Sequence, residues 1–210
     1  MKVFHRHAHI FFIGGAADLE PYYFVGPLHN ITIAQKKLAR QVKKYLAHHA
    51  NIHFHSLSYN RVYYLSDIEL NVLVKIQPQD LIYIIGHSLG GWNATHLARI
   101  LKEKGYRVRI LATLDPVGEG TLVWMGSNIF KNPEPKPLAD FWINIQAEND
   151  DLDLSDIVAQ IGRQWLLSDE PDINEKLYIH HSDAQRMLRH KLHTGKSIMD
   201  YIIENIRQLL

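Results

Sequence analysis

The sequence predicts an α/β sandwich, with a mostly parallel central sheet and helices on both faces. Three observations predict it. Short apolar, β-branched runs alternate with longer segments of helical period. The runs end in turn signals such as Gly14-Gly15, Gly86 and Asp115-Pro116. The 210 residues contain no internal repeat or low-complexity tract and suffice for one domain with a full core.

Taken in order, Ala8 to Ile13 reads as a first strand that stops at Gly14-Gly15. Ile31 to His48 reads as an amphipathic helix with Ile31, Leu38, Val42, Tyr45 and Leu46 inward. Asn51 to Ser58 alternates imperfectly and reads as a strand. Ser66 to Ile76 reads as a helix that Ser66 caps, with Glu69 completing a capping box and Pro78 ending it. Leu81 to Ile85 is a buried strand, Gly91 to Lys104 a helix, and Arg107 to Leu114 the next strand. Val117 to Pro137, rich in Gly and Pro, reads as a long loop. Phe141 to Gln146 is a strand, Leu154 to Leu167 is helical in part, and Lys176 to Ile179 is a short strand. Asp183 to Lys191 and Ser197 to Leu210 close the chain as helices. The domain is expected to span residues 1–210, with residues 117–137 as a lid or pocket wall.

Hydrophobic residues make up 46% and charged residues 21%, ordinary for a globular protein. The net charge of +1 gives no polyanion-binding surface, and Lys36, Lys37, Arg40, Lys43 and Lys44 read as the solvated face of a helix. No nucleic-acid partner is expected. Without cysteine there is neither a disulfide nor a cysteine metal site. The N-terminal residues lack the long apolar region of a signal peptide, so a cytoplasmic location is expected, with export by a signal-independent route as the alternative. No apolar stretch reaches the length of an integral membrane segment.

Chemistry concentrates in Gly86-His87-Ser88-Leu89-Gly90-Gly91. A G-x-S-x-G match acquires meaning when a strand precedes it and a helix follows, because the sharp turn then exposes the serine hydroxyl. Gly86 and Gly90 keep the residues two before and two after Ser88 small. The helix behind Ser88 directs N–H groups and a positive dipole end at any oxyanion formed there.

A serine nucleophile needs a base, and the base an orienting carboxylate. Asp115 is the candidate acid, following an apolar strand and stopped by Pro116. The rival is the cluster Glu148, Asp150 and Asp151 after the next strand. The candidate base is His181, beyond the strand Leu177-Tyr178-Ile179, with His180 as the alternative. His193 lies between helical stretches, away from a strand end. Asp183 reads as a helix cap. Leu89 N–H is expected in the oxyanion hole, together with an N–H from Gly14-Gly15-Ala16-Ala17; Gly15 and Ala16 are the named candidates, and the choice among Gly15, Ala16 and Ala17 stays open.

The histidine count of 14 is high. His5, His7 and His9 alternate, so they share one strand face; a metal there lacks a cysteine or an H-E-x-x-H helix in support, and solvent-facing residues are expected instead. His53 and His55 read as the outward face of their strand, and His48-His49 as a helix end. No metal and no cofactor are expected.

These residues resemble the α/β-hydrolase superfamily, and within it the serine lipases and esterases. Gly86 to Gly91 is similar to the lipase form of the elbow. Leu114-Asp115-Pro116 resembles the L-D-P that carries the acid in pancreatic-type lipases, which favours Asp115. Phe12-Ile13-Gly14-Gly15-Ala16 is similar to the oxyanion loop of small bacterial hydrolases. The chain departs from the lipases in having no disulfides and no separate lipid-binding domain. The resemblance implies hydrolysis of a small-molecule or lipid ester through an acyl-enzyme. Thioesterase, amidase or phospholipase activity on the same triad is the alternative, and a non-catalytic hydrolase-like binding protein is the other. Leu122, Val123, Trp124, Met125, Ile129 and Phe130, with Pro21 to Pro27, predict apolar walls and hence an apolar acyl group.

Overall fold

Six apolar runs form one sheet, in the order β2-β1-β3-β4-β5-β6, in which every neighbouring pair is parallel. The computed structural model describes residues 6–21, 26–46, 51–130 and 136–210. The strands are β1 (Ala8–Gly14), β2 (Ile52–Ser58), β3 (Leu81–His87), β4 (Val108–Leu114), β5 (Trp142–Glu148) and β6 (Ile173–Tyr178). The helices are α1 (Asn30–Tyr45), α2 (Leu65–Asn71), α3 (Leu89–Glu103), α4 (Thr121–Gly126), α5 (Leu154–Gly162), α6 (Ala184–Arg189) and α7 (Ile198–Leu209).

The period of two along each strand divides the apolar side chains between two cores. Ile10, Phe12, Tyr83, Ile85 and Ala112 face α1, α6 and α7, meeting Leu38, Met187 and Ile202. Phe11, Ile13, Ile82, Ile84 and Leu111 face the opposite way, toward Ile68 of α2, Leu97 of α3 and Ala159 of α5. Burying each such large aliphatic side chain stabilises the fold by about 1.5–3 kcal/mol. β1 and β3 are buried at every residue because helices cover both their faces, which is why they read as continuous apolar runs. β2 and β6 lie at the two edges, and their patterns are correspondingly weaker.

This is an α/β-hydrolase-type sandwich: a parallel sheet, helices on both faces, and a serine at the strand-to-helix turn. Among the described residues no helix is long and apolar enough to cross a membrane.

Several local expectations are corrected. α2 begins at Leu65 with Tyr64 at its N-cap, so Ser66 already lies inside the helix and makes no cap bond. Residues 73–75 form a separate 3-10 turn instead of prolonging α2. Asp183 stands at the N-cap of α6, but its carboxylate makes no cap bond and pairs with Arg186 at 2.8 Å. Residues 117–137 contain α4, and Ile129 is fully buried against α3 while Met125 stays exposed, so that segment is partly a packed crossover. His9, expected to face solvent, is buried: His7, His9, His53 and His55 stack across β1 and β2, with His7 Nδ1 2.8 Å from His53 Nε2 and His9 Nδ1 3.0 Å from His55 Nε2. His5, His48-His49 and residues 22–25 lie outside the described residues.

Candidate active site

Because the sheet is parallel, the carboxyl ends of β1, β3, β4 and β6 meet at one edge. There they deliver Gly15, Ser88, Asp115 and His181. In open α/β sheets this edge is where ligands bind.

Ser88 sits between β3 and α3 with φ +57° and ψ −130°. A non-glycine residue at positive φ is strained by about 1–3 kcal/mol and persists only where its surroundings enforce it. Here they do. Ser88 N–H donates to Leu114 O at 3.2 Å, and the Ser88 carbonyl accepts from Gly91 N–H (2.9 Å) and Val117 N–H (3.1 Å). The elbow is thus tied to the turn that carries Asp115. A Cβ on Gly90 would approach Ile13 O to 2.2 Å, and one on Gly86 would approach Gly90 O to 2.4 Å, so both positions need glycine.

Asp115 follows β4 at φ +45° and is fully buried. Its Oδ1 accepts from Ala147 N–H at 3.0 Å. The Gln164 amide donates to both oxygens, at 2.8 and 3.0 Å, and also reaches Ala147 O. The remaining partner is His181, whose Nδ1 lies 2.6 Å from Asp115 Oδ2. With Nδ1–H donating to the Asp115 carboxylate, Nε2 carries the lone pair that a general base needs. The structure therefore brings Asp115 and His181 together. Glu148 instead pairs with Lys176, and the side chain of His180 turns to Asp156, with Nδ1 2.7 Å from Oδ2. His193 pairs instead with Glu175 in the middle of β6.

Both main-chain polar groups of His181 are held by side chains. Its N–H donates to Asp156 Oδ1 at 2.7 Å, and its carbonyl accepts from His87 Nε2–H at 2.7 Å. Burial pushes His87 down to about 3, with nearby His181 adding in the same direction, so His87 is a neutral donor. The His87 and His181 rings lie 4.8 Å apart.

Gly15 is packed against Ser88: a Cβ there would come within 2.6 Å of Ser88 Cβ and 2.9 Å of Oγ. Leu89, first in α3, lies directly behind Ser88, and the opening N–H groups of a helix have no intrahelical partner. Ala16 is half-buried in the same turn as Gly15, followed by Ala17 at φ +57°. Beyond them Asp18 is buried and accepts from Ile31 N–H at 3.1 Å, fastening the turn to the start of α1. Burial pushes its carboxyl above the usual range, against the opposing pull of the α1 N–H bonds.

Sequence reasoning missed Asp18, Asp156 and Gln164. The partners that tie them to the site lie 13 to 49 residues away, and the one local signal is the Asp153–Asp156 capping spacing at the start of α5. Among the described residues, Asp153, Asp156 and His180 place ligand-type atoms within 4.8 Å of one another. The Asp156 oxygens there are already engaged by Asp153 N–H, His180 Nδ1 and His181 N–H.

No protein-family model matches this sequence, and no curated protein matches it. Solved structures do. One is ClbQ from the colibactin NRPS/PKS pathway, at 11% identity and TM-score 0.48, covering 97% of this chain and 98% of that one. Another is YbtT, a type II thioesterase from the yersiniabactin NRPS/PKS biosynthetic pathway, at 12% identity and TM-score 0.47, covering 97% and 94%. The likeness is one of chain course.

Proposed function

We propose that this protein is a serine hydrolase that cleaves carboxylic esters with an apolar acyl group. The observation that carries the reading is the buried 2.6 Å contact between His181 Nδ1 and Asp115 Oδ2, beside a serine held at an elbow. Ser88 Oγ attacks the acyl carbon while His181 Nε2 takes its proton. The oxyanion settles on Leu89 N–H and on an N–H from Gly15 or Ala16. The tetrahedral species collapses, and His181 returns the proton to the leaving alcohol. Water, deprotonated by His181, then releases the acid and restores Ser88. The proton transfer requires Ser88 Oγ and His181 Nε2 to come within hydrogen-bond reach of each other.

The apolar acyl preference is supported by Leu154, Ile157, Val158 and Ile161 on α5 and Met125 on α4, all solvent-exposed. α5 is attached to the same edge through Asp156 and, just past its end, Gln164. Charged acyl esters turned over faster than matched neutral ones would sink that preference, and matched esters and thioesters distinguish the acyl acceptor.

The test is mass spectrometry after treatment with a fluorophosphonate probe. An adduct on Ser88 is expected in the wild-type protein. It is absent in Ser88→Ala, and its formation slows about 1,000-fold or more in His181→Ala. A folded wild-type protein that forms no adduct refutes the reading.

A further inference from the structure

We propose that Asp156 is a positioning residue for His181, holding the base through its main chain. The inference rests on the serine-hydrolase reading for its kinetic part and on geometry for the remainder.

His181 lies past the end of β6, in a turn and not in a regular element. Its ring can be aimed at Asp115 and Ser88 only if its Cα is fixed. The fixing comes from the first turn of α5. Asp153 caps that helix, accepting from Ser155 and Asp156 N–H, and Asp156 Oδ2 accepts from Asp153 N–H at 3.0 Å. This capping box sets the Asp156 rotamer before any contact with the base. Asp156 is 7% exposed. Its Oδ1 then takes His181 N–H and its Oδ2 takes His180 Nδ1–H, each at 2.7 Å, while Ser155 Oγ accepts from Ser182 N–H at 3.2 Å. Three consecutive residues of the base turn are thereby gripped by side chains of one helical turn. A carboxylate accepting an N–H in a buried setting forms a strong, short bond. Displacing a catalytic group by about 1 Å costs about 100-fold in rate, and the contact that prevents such a displacement lies outside the triad.

The experiment uses the full chain. A buried imidazole N–H held by a carboxylate gives a downfield proton resonance, assigned to His181 by its loss in His181→Ala. In Asp156→Ala this resonance is lost to exchange. Fluorophosphonate labelling of Ser88 and kcat on a p-nitrophenyl butyrate probe fall about 10- to 100-fold, with KM within about 2-fold of wild type. Asp156→Asn keeps an acceptor for His181 N–H but sets its NH2 group against Asp153 N–H, so it retains the resonance and its rate falls between those of wild type and Asp156→Ala. Persistence of the resonance and of the labelling rate in folded Asp156→Ala overturns the proposal. So does an Asp156→Asn variant as impaired as Asp156→Ala at an unchanged melting temperature. If Asp156→Ala does not fold, Asp156→Glu, which keeps the charge but moves the oxygens, is compared with Asp156→Asn. The resonance is expected only in the asparagine variant, and the reverse order refutes positioning. A wild-type protein with the resonance but no Ser88 adduct refutes the hydrolase reading while the comparison of resonances still decides the role of Asp156.

Discussion

His180 and His181 are neighbours, and each places Nδ1 on an aspartate, at 2.7 and 2.6 Å. Their settings differ. The His181 and Asp115 side chains are 7% and 0% exposed, whereas His180 is 35% exposed on an 8% exposed Asp156. Water screens the His180 pair, and breaking it leaves a group that solvent can reach. Breaking the buried pair strands a charge among Ala147 N–H and the Gln164 amide, which costs about 3–5 kcal/mol when one partner is removed. On the proposed reading the same contact orients a base in one place and braces a turn in the other, and burial decides which.

The sharpest way to break this comparison is to delete each ring in turn. His181→Ala is expected to lower kcat/KM on a neutral p-nitrophenyl ester about 1,000- to 10,000-fold, and His180→Ala less than about 5-fold. Equal losses would mean that the two histidines share the role. A smaller effect comes from the far side of the buried pair. Gln164→Ala removes the donor to both Asp115 oxygens. A charged hydrogen bond contributes about 1.5–3 kcal/mol, so a lower melting temperature and a rate loss of about 10-fold are expected. An unchanged melt and rate would show that Ala147 N–H and His181 alone hold Asp115.

Acid exposes a related contrast, between histidines withdrawn wholly or in part from water and the water-screened ring of His180. Burial pushes His9, His55 and His96 down to about 4, and His87 to about 3. An unfolded histidine takes its proton near about pH 6.5. The unfolded chain therefore binds more protons between that pH and the folded values, and stability falls as pH drops from about 6.5 toward 4. Melting temperatures measured across that window should decline, and a flat profile would refute the assignment. His180 behaves oppositely. Its hydrogen bond to Asp156 raises it above the usual histidine value. Its contribution is complete below about pH 6.5 and is lost as pH rises through the raised value. The small melting-temperature advantage of wild type over His180→Ala should therefore shrink on the alkaline side.

What could be read in the sequence was what short stretches of chain encode. The elbow is a local turn with its own glycine requirement, and Asp115 is marked by the strand before it and Pro116 after it. Strand ends also narrowed the base to His180 or His181, but their side-chain directions depend on Asp115 and Asp156, at separations of 66 and 24 residues. Gln164 and Asp18 were illegible for the same reason. Alternation placed His7 and His9 on one strand face; it could not show that the β2 histidines and Asp80 cover that face. The cap assigned to Ser66 failed because α2 starts two residues earlier than the capping pattern suggests, with Tyr64 at the N-cap.

The all-parallel sheet also sets a schedule. Parallel neighbours cannot be joined by tight hairpins, so each pairing waits for a crossover to close, and non-local pairings of this kind make folding slow. Gly15, Ser88, Asp115 and His181 come from four different strand ends and converge only when β1, β3, β4 and β6 are all in register. In a refolding time course helical signal is expected to return first, and labelling of Ser88 by a fluorophosphonate, on the proposed reading, to recover last.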